Sequence, residues 1–150
     1  MDPSFDLRRF VVAQDAGGTY DAALRELRAG RKTGHWMWFV FPQLAGLGRS
    51  ATARTYALSG ADEARAYLAH PVLGARLREC ARALTALATD DPVAVLGSVD
   101  AQKLRSSLTL FALVAPDEPV FREVLDRWFG GEDDPLTLGL LGRSAPPATG

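Results

Sequence analysis

At 150 residues, with 47% hydrophobic and 23% charged residues, the chain has the size and composition of one ordinary globular domain, not of a disordered, collagen-like or disulfide-dense protein. Seventeen Lys and Arg against eighteen Asp and Glu give a net charge of −1, so no global field draws it onto nucleic acid or an anionic membrane, and neither is expected as a partner. The single cysteine, Cys80, excludes an internal disulfide and a cysteine-cluster metal site within one chain, and suits a reducing cytoplasm.

Taken in chain order, Ser4 is expected to cap a first helix with Leu7, Phe10 and Val11 on one face, ending near Gly17-Gly18. Met1-Asp2-Pro3-Ser4 before it has neither the basic region nor the apolar run of a secretion signal. Thr19 caps a second helix in which Tyr20, Ala23, Leu24 and Leu27 follow helical spacing and Arg25 and Arg28 suit the end before Gly30. The basic stretch Arg25 to His35, with Arg31 and Lys32, reads as a solvated loop, the alternative being phosphate binding. From Gly34 to Gly48 periodicity fails, and Pro42 ends the apolar run at Phe41. That run, Trp36 to Phe41, is far shorter than the roughly 20 residues of a membrane span, so a cytoplasmic protein without membrane contact is expected.

Asp62 and Glu63 open an alanine-rich helix to about Ala69, and Pro71 sits at the first position of the next. There Leu73, Leu77, Cys80, Leu84 and Leu87 form the inner stripe, with Cys80 serving as a small hydrophobe. Asp91-Pro92 begins a short turn, Ser98 or Asp100 caps a helix from Ala101 to about Ala115, and Asp117 and Pro119 open another, with a Glu123–Arg127 pair on its surface. Asp134-Pro135 begins a last short helix to Leu141. The expectation is therefore all-α: a single compact domain over residues 1–141, about six to eight short helices, little or no strand, and a mobile tail over residues 142–150.

Three constellations could carry chemistry. On the helix through Lys103-Leu104-Arg105-Ser106-Ser107, spacing sets Lys103, Ser106 and Ser107 on one face of an element apolar on two others. Partly buried polar groups there need partners, and together they offer a pocket floor for an anion, the alternative being a solvated lysine and a serine bonded back to a carbonyl. His35-Trp36-Met37-Trp38-Phe39, with Gln43 beyond, offers an aromatic wall for a planar ring, against the reading of plain core. Gly46-Leu47-Gly48-Arg49-Ser50 is a glycine-spaced turn whose N–H groups, with Arg49 and Ser50, could hold phosphate, or it is a plain turn. No metalloprotease, zinc, hydrolase-elbow or calcium-loop motif occurs, His70 before Pro71 reads as structural, and neither a metal nor a cofactor is expected.

Several motifs together carry a resemblance: Asp6-Leu7-Arg8-Arg9-Phe10, Arg31-Lys32-Thr33-Gly34-His35-Trp36-Met37-Trp38-Phe39, Phe41-Pro42-Gln43, Gly46-Leu47-Gly48-Arg49-Ser50, Tyr67-Leu68-Ala69-His70-Pro71-Val72-Leu73-Gly74, Lys103-Leu104-Arg105-Ser106-Ser107 and Trp128-Phe129-Gly130-Gly131. In this order they resemble the bacterial "domain of unknown function 1810" family from about residue 3 to residue 141. The resemblance implies a compact, almost wholly helical fold and no activity. Some members carry a calpastatin label, but inhibitors of that name are disordered repeats, whereas core-forming periodicity runs through this chain. The helical NADAR-type proteins, which act on N-glycosidic bonds of riboside or ADP-ribose-like compounds, are more loosely similar in joining tryptophan to a lysine-bearing helix.

The leading expectation is a pocket between the His35–Ser50 segment and the Lys103 helix, built from His35, Trp36, Trp38, Gln43, Arg49, Ser50, Lys103, Ser106 and Ser107. Its ligand would be a small anion, nucleotide- or ADP-ribose-like in character, bound by a monomer or weak homodimer. The alternatives are a protein-interaction module anchored by the Trp-rich segment, and an N-glycosidase-type hydrolase with Asp100 as the carboxylate beside Lys103.

Overall fold

The computed structural model describes residues 5–142, and the expected Ser4 cap and all of the C-terminal tail but Gly142 lie outside them. The described residues form ten α-helical segments with no strand: α1 (Arg8–Asp15), α2 (Thr19–Ala29), α3 (Met37–Val40), α4 (Ala51–Thr55), α5 (Ala61–Ala69), α6 (Leu73–Thr85), α7 (Pro92–Leu96), α8 (Ser98–Val114), α9 (Pro119–Phe129) and α10 (Pro135–Leu140). A 3-10 turn at Ala16–Gly18 joins α1 to α2, and one parallel bridge pairs Leu44 with Leu58. The all-α expectation holds, and the segments beyond the expected number are short ones such as α3, within the stretch that lacks periodicity, and α4, just after it. No helix among the described residues is long and apolar enough to cross a membrane.

The centre of the fold is α8. Leu104, Leu108, Leu110 and Phe111 are buried on it together with Ser106, Ser107 and Thr109, because α5, α7, α9 and α10 pack around it. A helix with apolar residues on most of its circumference has only this way to leave water. A file of rings crosses the core from α1 to α9: Phe10 to Tyr67, Tyr67 to Phe111 and Phe111 to Phe121 have centroids 5.1, 5.6 and 5.9 Å apart. Cys80 lies among these core residues, and burial pushes its thiol up to about 12, so it is a packing residue and not a thiolate.

Polar residues inside this core serve as fasteners. The buried Asp134 Oδ2 accepts from the Ser106 hydroxyl at 2.9 Å and from the Thr137 backbone N–H at 3.1 Å, while the Asp134 N–H donates to Thr109 Oγ1 at 2.9 Å, so one carboxylate caps α10 and ties it to α8. At the other end of the chain the buried Gln14 donates to the Phe39 carbonyl at 2.7 Å and accepts from Arg76 at 3.1 Å, which fixes the single turn α3 against α1.

Four local expectations are corrected. Thr19 does not cap α2, since its hydroxyl donates back to the Ala16 carbonyl at 2.6 Å. Neither Ser98 nor Asp100 caps α8: both are inside it, after Gly97. Pro71 stands two residues before α6, whose first N–H groups are taken by His70 Nδ1, from Val72 at 3.1 Å and from Leu73 at 3.2 Å. Arg127 is drawn away from Glu123 to the carbonyls of Thr85, at 2.8 Å, and Leu87, because the end of α6 presents acceptors that no intrahelical donor satisfies.

The α5–α6 junction needs Gly74. A Cβ there would stand 2.0 Å from the Leu68 carbonyl oxygen, backbone that cannot swing aside. Gly74→Ala is expected to cost about 2 kcal/mol or more in urea denaturation, by overpacking. Gly139→Ala, in α10 with open space around it, is expected to be neutral or to stabilise by up to about 1 kcal/mol. Equal effects of the two would refute this account of the junction.

Candidate functional site

The site begins with a carboxylate at the end of α2. Glu26 Oε1 accepts from the Thr33 and Gly34 backbone N–H groups, each at 2.8 Å, and from the Trp36 indole N–H at 3.0 Å. Burial works to raise the Glu26 carboxyl, but the hydrogen bonds from Gly34, Thr33 and Trp36 outweigh it and hold the group below its ordinary value of 4.5. Gly34 makes the fold-back possible, since a Cβ would meet Trp36 Cδ1 at 2.9 Å. The Lys32 N–H donates to the Val95 carbonyl at 2.9 Å, so the same loop is fastened to α7.

This loop delivers Lys32 to α8. Its Nζ lies 2.7 Å from Asp100 Oδ2, donates to the Gly34 carbonyl and stands 5.0 Å from the centre of the Trp36 ring. Lys103, one turn along α8, has its Nζ 3.6 Å from Asp100 Oδ1 and 4.9 Å from the Trp38 ring centre. Two ammonium groups therefore flank one carboxylate, and each also faces an indole. The side chains are 7% exposed for Lys32, 19% for Asp100 and 22% for Lys103, so the group sits at the boundary of core and solvent; these three side chains alone carry one positive charge in excess, while the Glu26 carboxylate is bound to the same Trp36 indole that Lys32 faces.

Of the nine residues expected in the pocket, contacts join Trp36, Trp38 and Lys103. Ser107, four residues after Lys103 and thus on the same side of α8, is fully buried and its hydroxyl has no partner among the described residues. Ser106 is held by Asp134. Ser50 caps α4, accepting from the Ala53 N–H at 3.1 Å, and His35 and Arg49 are exposed. Gln43 is half-buried, with its carbonyl accepting from the Leu58 N–H at 2.9 Å. Among the described residues no hydrogen bond or ion pair links Gln43, Arg49 or Ser50 to the lysines.

Sequence reasoning missed Lys32, read as part of a solvated loop, and Glu26, which reads as an ordinary polar-face residue of α2. Nothing local marks either one, since their partners are 7 to 10 residues away for Glu26 and on another helix for Lys32. Open clefts lie elsewhere: one of about 510 Å³ between α2 and α6, with Arg28, Arg76, Glu79 and Arg82 on its walls, and one of about 310 Å³ where Val93, Ala101 and Phe129 meet. Neither includes Lys32, Asp100 or Lys103. Among the described residues no three His, Cys, Asp or Glu side chains converge as metal ligands.

The profile of a family described as "Protein of unknown function (DUF1810)" matches residues 4–141. The crystal structure of the conserved hypothetical protein Rv1873 from Mycobacterium tuberculosis is similar to this chain with a TM-score of 0.90 and 46% identity, covering 95% of this chain and 100% of that one. A comparison with curated proteins gives no match.

Two outcomes follow from the geometry. Asp100→Asn leaves the nearly buried Lys32 ammonium without its counter-charge and is expected to cost about 3 kcal/mol in urea denaturation, whereas Lys103→Ala, longer in its contact and more exposed, is expected to cost about 1 kcal/mol or less. The depressed Glu26 carboxyl contributes stability that is complete above its unfolded value and is lost as pH falls through its lower folded value. Glu26→Gln should therefore have lower stability at neutral pH and a shallower fall on acidification below about 4.5; an unchanged acid limb would refute the clamp.

Proposed function

Because the chain belongs to the family described as Protein of unknown function (DUF1810), which brings no activity to inherit, we propose from its own residues that it binds a small anion at the Lys32–Asp100–Lys103 group beside Trp38. The observation that carries the reading is the excess cation: two ammonium groups share one carboxylate at a partly desolvated position. An ammonium at such a boundary interacts more strongly with a ligand charge than one in bulk water does.

The rival readings find less support. A surface anchor needs exposed aromatics, but Trp36, Met37 and Phe39 are buried and the Trp36 indole N–H is bound to Glu26, which leaves the half-buried Trp38 beside the exposed His35. A hydrolase acting on N-glycosidic bonds needs a carboxylate free to face a sugar cation, and Asp100 is engaged by Lys32 at 2.7 Å.

Thermal denaturation with inorganic phosphate, ribose 5-phosphate, AMP and ADP-ribose tests the proposal. A ligand at a hundred times its Kd adds about 2.7 kcal/mol, which raises Tm by several degrees in a chain of this size. Lys103→Ala is expected to remove most of that rise. Failure of all four compounds to move Tm would sink the reading, and so would a rise that Lys103→Ala leaves intact.

A further inference from the structure

Lys32 and Lys103 share Asp100 but are held unequally. Lys32 is enclosed by the carboxylate at 2.7 Å, the Gly34 carbonyl and the Trp36 ring, and is 7% exposed. Lys103 has the longer contact of 3.6 Å, is 22% exposed, and has the half-buried Trp38 ring as its other neighbour. Lys103 is accordingly the cation that can leave. On the premise of the anion site proposed above, we infer that Lys103 is a displaceable cover on Trp38, and that the site takes a ligand carrying a planar ring together with an anionic group, as nucleoside phosphates do.

The two halves of that ligand are coupled through one side chain. Asp100 keeps Lys32 as its counter-ion when Lys103 turns to an incoming anion, so no carboxylate is stranded. The same movement removes the ammonium from the Trp38 face, where it stood 4.9 Å from the ring centre, and exposes an indole surface to water. A bare anion such as phosphate leaves that surface uncovered. A ligand with a ring attached covers it by stacking, and the ring's π-face needs no hydrogen-bond code. Trp36 cannot take this role, since it is 1% exposed and its indole N–H is bound to Glu26.

Calorimetric titration of the wild-type chain with inorganic phosphate, adenosine and AMP separates the halves. AMP is expected to bind about tenfold or more tighter than either of the other two, with quenching of tryptophan emission. Trp38→Leu should bring AMP down to the level of phosphate, and thermal denaturation checks that this variant is folded; the wild-type ranking stands as a test without it. Equal binding of AMP and phosphate would overturn the ring assignment and leave the anion site standing. Equal binding of AMP and adenosine would overturn the coupling. No binding of phosphate or AMP would remove the anion site itself, and this inference with it.

Discussion

One carboxylate oxygen organises the part of the molecule on which any function of the Trp-rich segment depends. The backbone between α2 and α3 has no helix or sheet ladder to satisfy it, and Glu26 Oε1 stands in by accepting from Thr33, Gly34 and the Trp36 indole. Charge-assisted hydrogen bonds of this kind are stronger than neutral ones, and three on one oxygen define the path of the loop. The consequences reach outward in three directions. Trp36 is turned into the core, the Lys32 N–H reaches Val95 on α7, and the Lys32 ammonium reaches Asp100 on α8.

The opposite end of the aromatic segment is held from beneath. Gln14 grips the Phe39 carbonyl, and Arg76 grips Gln14 while pairing with Asp15 at 2.9 Å. A four-residue helix has little stability of its own, because helix nucleation is unfavourable and its carbonyls lack partners. Held at both ends, α3 can place one tryptophan inward and leave the next half-exposed. The positions of Trp36 and Trp38 are thus set by Glu26 and Gln14, residues outside the segment.

How much of this was legible follows from the range of each interaction. The α2, α6 and α9 stripes are periodic, and Tyr20, Leu27, Leu77, Leu84, Val124 and Trp128 are buried as their spacing requires. The grouping of Lys103 with Ser107 on α8 also follows from helical spacing, and Asp91 and Asp134 cap where a residue before proline should. What spacing could not reveal is where a polar side chain finds its partner in space. Arg127 leaves a neighbour on its own helix for the end of α6, His70 serves as a cap, and Lys32 leaves a run of basic residues that reads as solvated. The single-turn helices α3 and α4 escape for a different reason, since four or five residues do not establish a period.

The balance of charge at Asp100 bears both on stability and on the anion site proposed above. Without the carboxylate, Lys32 and Lys103 would repel one another at the edge of the core, and Lys32 at 7% exposure could not be fully hydrated. With it, Lys32 is neutralised and Lys103 is only weakly held, over an aromatic face. An alanine in place of Asp100 would leave both cations without their counter-charge and unsettle the loop that carries Lys32. Asp100 thus neutralises Lys32, and the anion site proposed above rests on the charge that remains on Lys103.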